Sequence, residues 1–314
     1  MQETKLQQSI AQMATICAKI IFRRANILKQ AAIMDIGSNS IRYACGRIDE
    51  AGRASMEPKQ LRTTRLAEGL EEKGRLAEVP MMRSLWAMEA FALDAHGRGL
   101  PIYAYATSAV RDSANREAFC RRAEALGMEV TVLSGEEEAR LAQLGATGGA
   151  GGILDIGGGS TQILLGDFVH SAPIGCVRAR ELCMAAHSLN EMKRAVFARC
   201  KEVLRFPPQK SEAYTGLGGT ILTIAALMMG QKTFDPEKAC CMRICHTALD
   251  ELVEWLYSLG DAGRHAQPLL AGREETILPG ALILVFVMAH AGVGELAVSN
   301  RDGMEGYLLE RLGR

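Results

Sequence analysis

Residues 31–49 read AAIMDIGSNSIRYACGRID, and residues 151–167 read GGILDIGGGSTQILLGD. With an offset of 120 positions, Asp35 falls on Asp155, Ile36 on Ile156, Gly37 on Gly157 and Ser40 on Ser160. Each copy is an apolar run, an aspartate, a turn of Gly, Ser or Asn, and a second apolar run. That pattern predicts a strand, a tight turn and an antiparallel strand. One hairpin repeated at this spacing predicts two related lobes, with a cleft between two facing turns.

The turns carry readable chemistry. Gly37 and the run Gly157, Gly158, Gly159 let backbone N–H groups converge on an anion without Cβ obstruction. Ser38, Asn39, Ser40, Ser160 and Thr161 add side-chain donors. A carboxylate beside a phosphate cradle repels the phosphate unless a cation lies between them. Asp35 and Asp155 therefore point to Mg²⁺ bridging carboxylate and phosphate oxygens. A single DxG is equally an ordinary Asx turn; the second copy at the corresponding place is what favours a site. A third glycine turn, Gly216 to Thr220 with Gly218 and Gly219 at its centre, precedes an apolar helix expected over 221–229. Amides at such a helix start bind anions.

The 314 residues fit two ordinary domains. Lys+Arg and Asp+Glu both total 36, so no global basic field speaks for nucleic acid or a membrane surface. Hydrophobic residues at 48% and charged residues at 23% describe an ordinary folded chain rather than a disordered one. The nine cysteines form no framework, which predicts free thiols in a reducing cytoplasm. The start of the chain shows no export signal. The apolar run 277–289 is too short to span a bilayer and reads as a buried helix. Cys240, Cys241, Cys245 and His246 lack the spacing of structural zinc and read as buried helix thiols. The basic run from Arg178 to Arg205 reads as a solvated face that could border a polyanion path.

Seven stretches, in order, resemble the exopolyphosphatase / guanosine pentaphosphate phosphatase (Ppx/GppA) family of the sugar kinase–Hsp70–actin superfamily. They are DIGSNSIR (35–42), TRLAEGL (64–70), ATSAVRDSANREAF (106–119), SGEEEAR (134–140), DIGGGST (155–161), GLGGT (216–220) and SNRDGMEG (299–306). The resemblance implies a two-lobe α/β, actin-like ATPase (ribonuclease H-like) fold with an interlobe cleft. The first lobe is expected over 31–137, the second over 138–304, with 305–314 returning to the first. It also implies Mg²⁺-dependent release of terminal phosphate from polyphosphate or guanosine pentaphosphate.

Arg111, after a strand expected over 103–106, offers a planar bidentate donor for phosphate. Ser134 reads as a helix cap with Glu137 as its capping-box partner. Glu138 is one position further, about 100° around the helix, and so can point elsewhere. By resemblance it occupies the place of the family's catalytic glutamate, which orients or deprotonates the attacking water. Two positions depart from the family pattern. Gln162 stands where the second hairpin usually has Glu, and Met304 where the last motif usually has Arg. Gln162 can accept hydrogen bonds but cannot act as a base. A catalytically weakened regulator that binds polyphosphate or a nucleotide is therefore one alternative; a small-molecule kinase on the same fold is another. Residues 1–30 carry Leu6, Ile10, Met13, Cys17, Ile20 and Ile27 at helical spacing. They predict an amphipathic helix that packs on its own domain or forms a homodimer contact.

Overall fold

A computed structural model describes residues 30–207 and 213–313; the expected N-terminal helix lies outside the described residues. Both quoted stretches form the expected hairpins. The first pairs β1 (Gln30–Ile36) with β2 (Ser40–Ile48), setting Asp35 opposite Arg42. The strands β3 (Ala54–Met56), β4 (Gln60–Thr63), β5 (Ile102–Ala106) and β6 (Val130–Val132) complete that sheet, in the order β3-β2-β1-β5-β6 with β4 also on β2. The second hairpin pairs β7 (Gly152–Ile156) with β8 (Thr161–Leu165), setting Asp155 opposite Gln162. With β9 (Phe168–Ala172), β10 (Tyr214–Leu217), β11 (Arg243–Cys245) and β12 (Glu295–Val298), it forms a second sheet in the order β11-β12-β10-β7-β8-β9.

The two sheets repeat one plan. Each has an antiparallel meander on one side of its aspartate strand and two parallel strands on the other, edged in the second sheet by the antiparallel β11. Parallel neighbours need crossover helices, and these cover the faces. The apolar helix Ile277–Ala291 is buried along nearly its whole length, at the centre of the second lobe's core. It packs against the helices Cys176–Met184, Leu189–Val203 and His246–Ser258. Among the described residues, no helix is long and apolar enough to cross a membrane.

The expected lobe boundary at 137/138 falls inside one continuous helix, Gly135–Thr147. That helix packs on β7, β8 and β9 and also on the last helix, Gly303–Leu312. The last helix in turn lies on β1, β2 and β3, where Met304, Tyr307 and Leu308 join Ile33, Ala44 and Ile48 in one apolar cluster. These two helices form the seam between the lobes, so a cut in the chain at 137 divides an element that serves both. Ser134 caps the helix as expected: its hydroxyl accepts from Glu137 N–H, and the Glu137 carboxylate accepts from Ser134 N–H at 2.7 Å.

Candidate active site

The aspartate strands end facing each other across the seam. Asp35 and Asp155 line one cleft of about 100 Å³, together with Gly37, Ser38, Asn39, Ser40, Gly157, Gly158 and Ser160. The third turn, Gly218, Gly219 and Thr220, closes the same cleft. It is part of the helix Gly218–Met228, which starts three residues before the expected 221. Gly218 sits at φ +83, and a Cβ there would collide with the Asp155 carboxylate, so only glycine allows this turn beside that aspartate. The two lobes touch through these loops. Ser38 Oγ and Ser108 Oγ are 2.9 Å apart, and Gly159 fits against both.

Glu138 reaches the cleft from the first turn of the seam helix. Its side chain is 17% exposed, and its Oε2 accepts from Arg111 Nη1 at 3.0 Å. Removal from water pushes the Glu138 carboxyl up to about 7 against the pull of Arg111, with Asp155 and Asp35 adding repulsion. Burial likewise pushes Asp155 up to about 7, and among the described residues Asp155 has no ion-pair partner. Two cleft carboxyls titrating near neutrality are the pattern expected of acid–base machinery.

Asp35 differs from its expected role as a free metal ligand. Its Oδ2 accepts from Arg42 Nε at 2.9 Å and from Nη2 as well, so that oxygen already holds a guanidinium and Oδ1 is the one left for another partner. Arg42 Nη1 also pairs with Asp302 Oδ2, and Lys59 Nζ lies 3.1 Å from the same oxygen. Lys59 further donates to Glu305 Oε2 at 2.9 Å and to the Asn300 carbonyl at 2.9 Å.

Four other expected site residues, Arg111, Gly159, Thr161 and Gln162, are not among those lining the cleft. Arg111 donates through Nη1 to Glu138 Oε2 and to the Leu133 carbonyl at 3.1 Å, and through Nε to Asp112 at 3.2 Å, so it orients the glutamate, while its two Nη2 donors have no protein partner among the described residues. Thr161 Oγ1 donates to the Ile174 carbonyl at 2.6 Å, a structural bond. Gly159 serves the lobe contact described above. Gln162 lies beneath the seam helix beside Asp155. Its Nε2 donates to Ser160 Oγ at 2.8 Å and Ser171 Oγ at 3.2 Å, while Oε1 is buried and has no partner among the described residues.

Sequence reasoning missed two arginines. Arg42 was inside a quoted motif, but its position opposite Asp35 only becomes a charge relation once the register is known. Arg273 lies in an unmarked stretch. It lines the cleft against Gly219, whose missing Cβ leaves room for the guanidinium. Among the described residues Arg273 makes no ion pair, and burial lowers its pKa. A half-buried cation without a carboxylate, beside three amide-rich turns, is suited to an anion.

The donor set fits Mg²⁺. Among the described residues, no group of three His, Cys, Asp or Glu side chains forms a cage. Mg²⁺ usually takes only one or two carboxylates and completes its shell with water and substrate phosphate. Asp155 lines the cleft and offers one such carboxylate, and the Gln162 amide lies buried beside it on the same face of the β7–β8 pair, behind the cleft lining.

The remaining groups have structural places. Cys241 and Cys245 are exposed, at a turn and at the end of β11, rather than buried on a helix as expected. Much of the basic run is paired: Lys193 with Glu254 at 2.9 Å, Arg180 with Glu275 at 3.2 Å. Arg178 crosses to the first lobe, meeting Asp112 at 2.8 Å and Glu71 at 3.3 Å.

The comparisons agree with this architecture. A model described as the Ppx/GppA phosphatase family matches residues 49–314. Exopolyphosphatase 2 of Mycobacterium tuberculosis is 31% identical over 318 residues, covering 91% of this chain and 99% of that protein. The solved structure of an exopolyphosphatase-like protein superposes with a TM-score of 0.81 at 26% identity, over 90% of this chain and 97% of that one. A Ppx/GppA family member from Aquifex aeolicus does so with a TM-score of 0.73 at 27% identity, over 90% and 97%. Two lobes built on one hairpin plan, carboxylates meeting at their seam and a match along most of the sequence lead to one assignment: the chain belongs to the Ppx/GppA phosphatase family.

Proposed function

We propose that the protein is a Mg²⁺-dependent phosphohydrolase that removes the terminal phosphate of inorganic polyphosphate, with guanosine pentaphosphate as the second substrate to test. The observation that carries this reading is Glu138, held by Arg111 in a cleft of phosphate-binding turns with its carboxyl at about 7. The N–H groups of the turns, with Arg273 and the remaining donors of Arg42, hold the terminal phosphate. Glu138 accepts a proton from a water as its oxygen attacks phosphorus. The bridging oxygen leaves with the shortened chain as a phosphate anion and needs no strong acid. Asp155, with Gln162 behind it, would hold the Mg²⁺, which supplies charge neutralisation on the phosphate oxygens.

Polyphosphate is favoured because the cleft reads phosphate rather than base. Tyr105 is the aromatic residue among those lining it, and it is 3% exposed, so it offers no stacking face for guanine. The relative named an exopolyphosphatase supports the same choice. The free thiols of the described cysteines suit a cytoplasmic setting. The neutral amide of Gln162 favours the second reading, a phosphate-binding regulator. Colorimetric phosphate release from polyphosphate and from guanosine pentaphosphate, with and without Mg²⁺, separates them. Mg²⁺-dependent release supports the enzyme; tight binding without release supports the regulator.

A further inference from the structure

The charge chain behind Arg42 is more extensive than an arginine in a phosphate site requires. A guanidinium has five N–H donors. Asp35 takes the Nε donor and one on Nη2, and Asp302 takes one on Nη1. Two donors have no partner among the described residues, on a side chain that lines the cleft. Asp302 is itself fixed on every side. It is 1% exposed and caps the last helix, with Oδ1 accepting from Met304 N–H at 2.9 Å. Its own N–H donates to Glu305 Oε2 at 2.8 Å, and its Oδ2 receives both Arg42 and Lys59. The cations pull its carboxyl well below the usual range, so it stays charged. Lys59, from the turn between β3 and β4, is in turn held by Glu305 and the Asn300 carbonyl.

We propose that Asp302 is a positioning residue: held by Lys59, it fixes the Arg42 guanidinium so that its two remaining N–H groups meet a substrate phosphate. The proposal rests on the reading of the cleft as a phosphoanhydride site. Asp35 alone grips one side of the guanidinium and leaves it free to pivot about that contact. Asp302 grips the opposite nitrogen and removes the pivot. Small misplacements of a positioning group cost large factors in rate, up to about 100-fold per ångström. Asp302 touches no substrate; it acts through Arg42.

A double-mutant cycle in the full chain tests this. Asp302→Asn keeps the helix cap, because Oδ1 still accepts from Met304, but removes the charge at Oδ2. Binding of tripolyphosphate with Mg²⁺ is read by calorimetry for wild type, Asp302→Asn, Arg42→Met and the double variant, beside kcat/KM for phosphate release. Asp302→Asn should weaken binding about 10-fold in wild type and have no effect in the Arg42→Met background. Lys59→Met should show the same dependence with a smaller effect, and it carries the cycle if the Asn variant melts early. An equal loss in both backgrounds means Asp302 acts independently of Arg42 and overturns the proposal. Failure of the wild type to bind tripolyphosphate overturns the phosphate reading of the cleft and this proposal with it.

Discussion

Arg111 donates to Glu138 across 27 positions of sequence, and the same nitrogen also donates to the carbonyl of Leu133, just ahead of the seam helix. The arginine thus fixes both the glutamate and the entry to its helix. It also holds the Glu138 carboxyl down against burial and two neighbouring aspartates. Replacing it with methionine should raise the Glu138 pKa. The acid limb of the kcat–pH profile should move upward by roughly one unit, the equivalent of ~1.4 kcal/mol. An unmoved limb would show that another group sets the profile.

The two raised carboxyls imply a pH-dependent stability. Glu138 and Asp155 titrate at about 7 in the fold, against ordinary values of 4.5 and 3.8. Between those limits the folded state binds more protons than the unfolded chain. Their contribution is complete below pH ~4 and is lost as the pH rises through 7. Metal-free protein should therefore melt at a lower temperature at pH 8 than at pH 5.5. Asp155→Asn should flatten that slope, and Mg²⁺ should restore stability at pH 8. A melting temperature that rises over this range would contradict the burial argument.

Arg273 makes no ion pair among the described residues, so its loss should be felt mainly by substrate. Charge-assisted hydrogen bonds are worth about 1.5–3 kcal/mol. Arg273→Met should raise KM for polyphosphate about 10- to 100-fold while melting near the wild-type temperature. An unchanged KM would remove Arg273 from the site.

Much of the site was legible because it is local. The two hairpins, the Ser134–Glu137 capping box and the rotation that sends Glu138 elsewhere all follow from spacings of a few residues. The glycine turn at 216–220 was equally readable, although its glycines begin the helix instead of preceding it. What stayed hidden depends on contacts between distant residues. Arg42 meets Asp302 across 260 positions, and Lys59 meets Glu305 across 246. Arg111 was readable as a donor, but not its hold on Glu138 and the Leu133 carbonyl through one nitrogen. Gln162 was singled out by its departure from the family, but only the fold shows its buried oxygen, unpartnered among the described residues.

That oxygen gives Gln162 its own test. Gln162→Glu places a carboxylate beside Asp155, where attraction to a divalent cation is strong in a partly dry cleft. The Mg²⁺ concentration for half-maximal phosphate release should fall about 10-fold, and the gain should shrink as Mg²⁺ saturates. A gain that persists at saturation would assign the position to water activation instead of metal binding. No change in either quantity would show the amide to be sufficient.

The central claim is that Glu138 takes the proton of the attacking water, and Glu138→Gln tests it most directly. The amide keeps the shape and can still face Arg111, but it cannot accept the proton. Initial phosphate release from polyphosphate at saturating Mg²⁺ should fall about 10²- to 10⁴-fold, with tripolyphosphate binding retained. Turnover within a few-fold of wild type, at an unchanged melting temperature, would contradict the account.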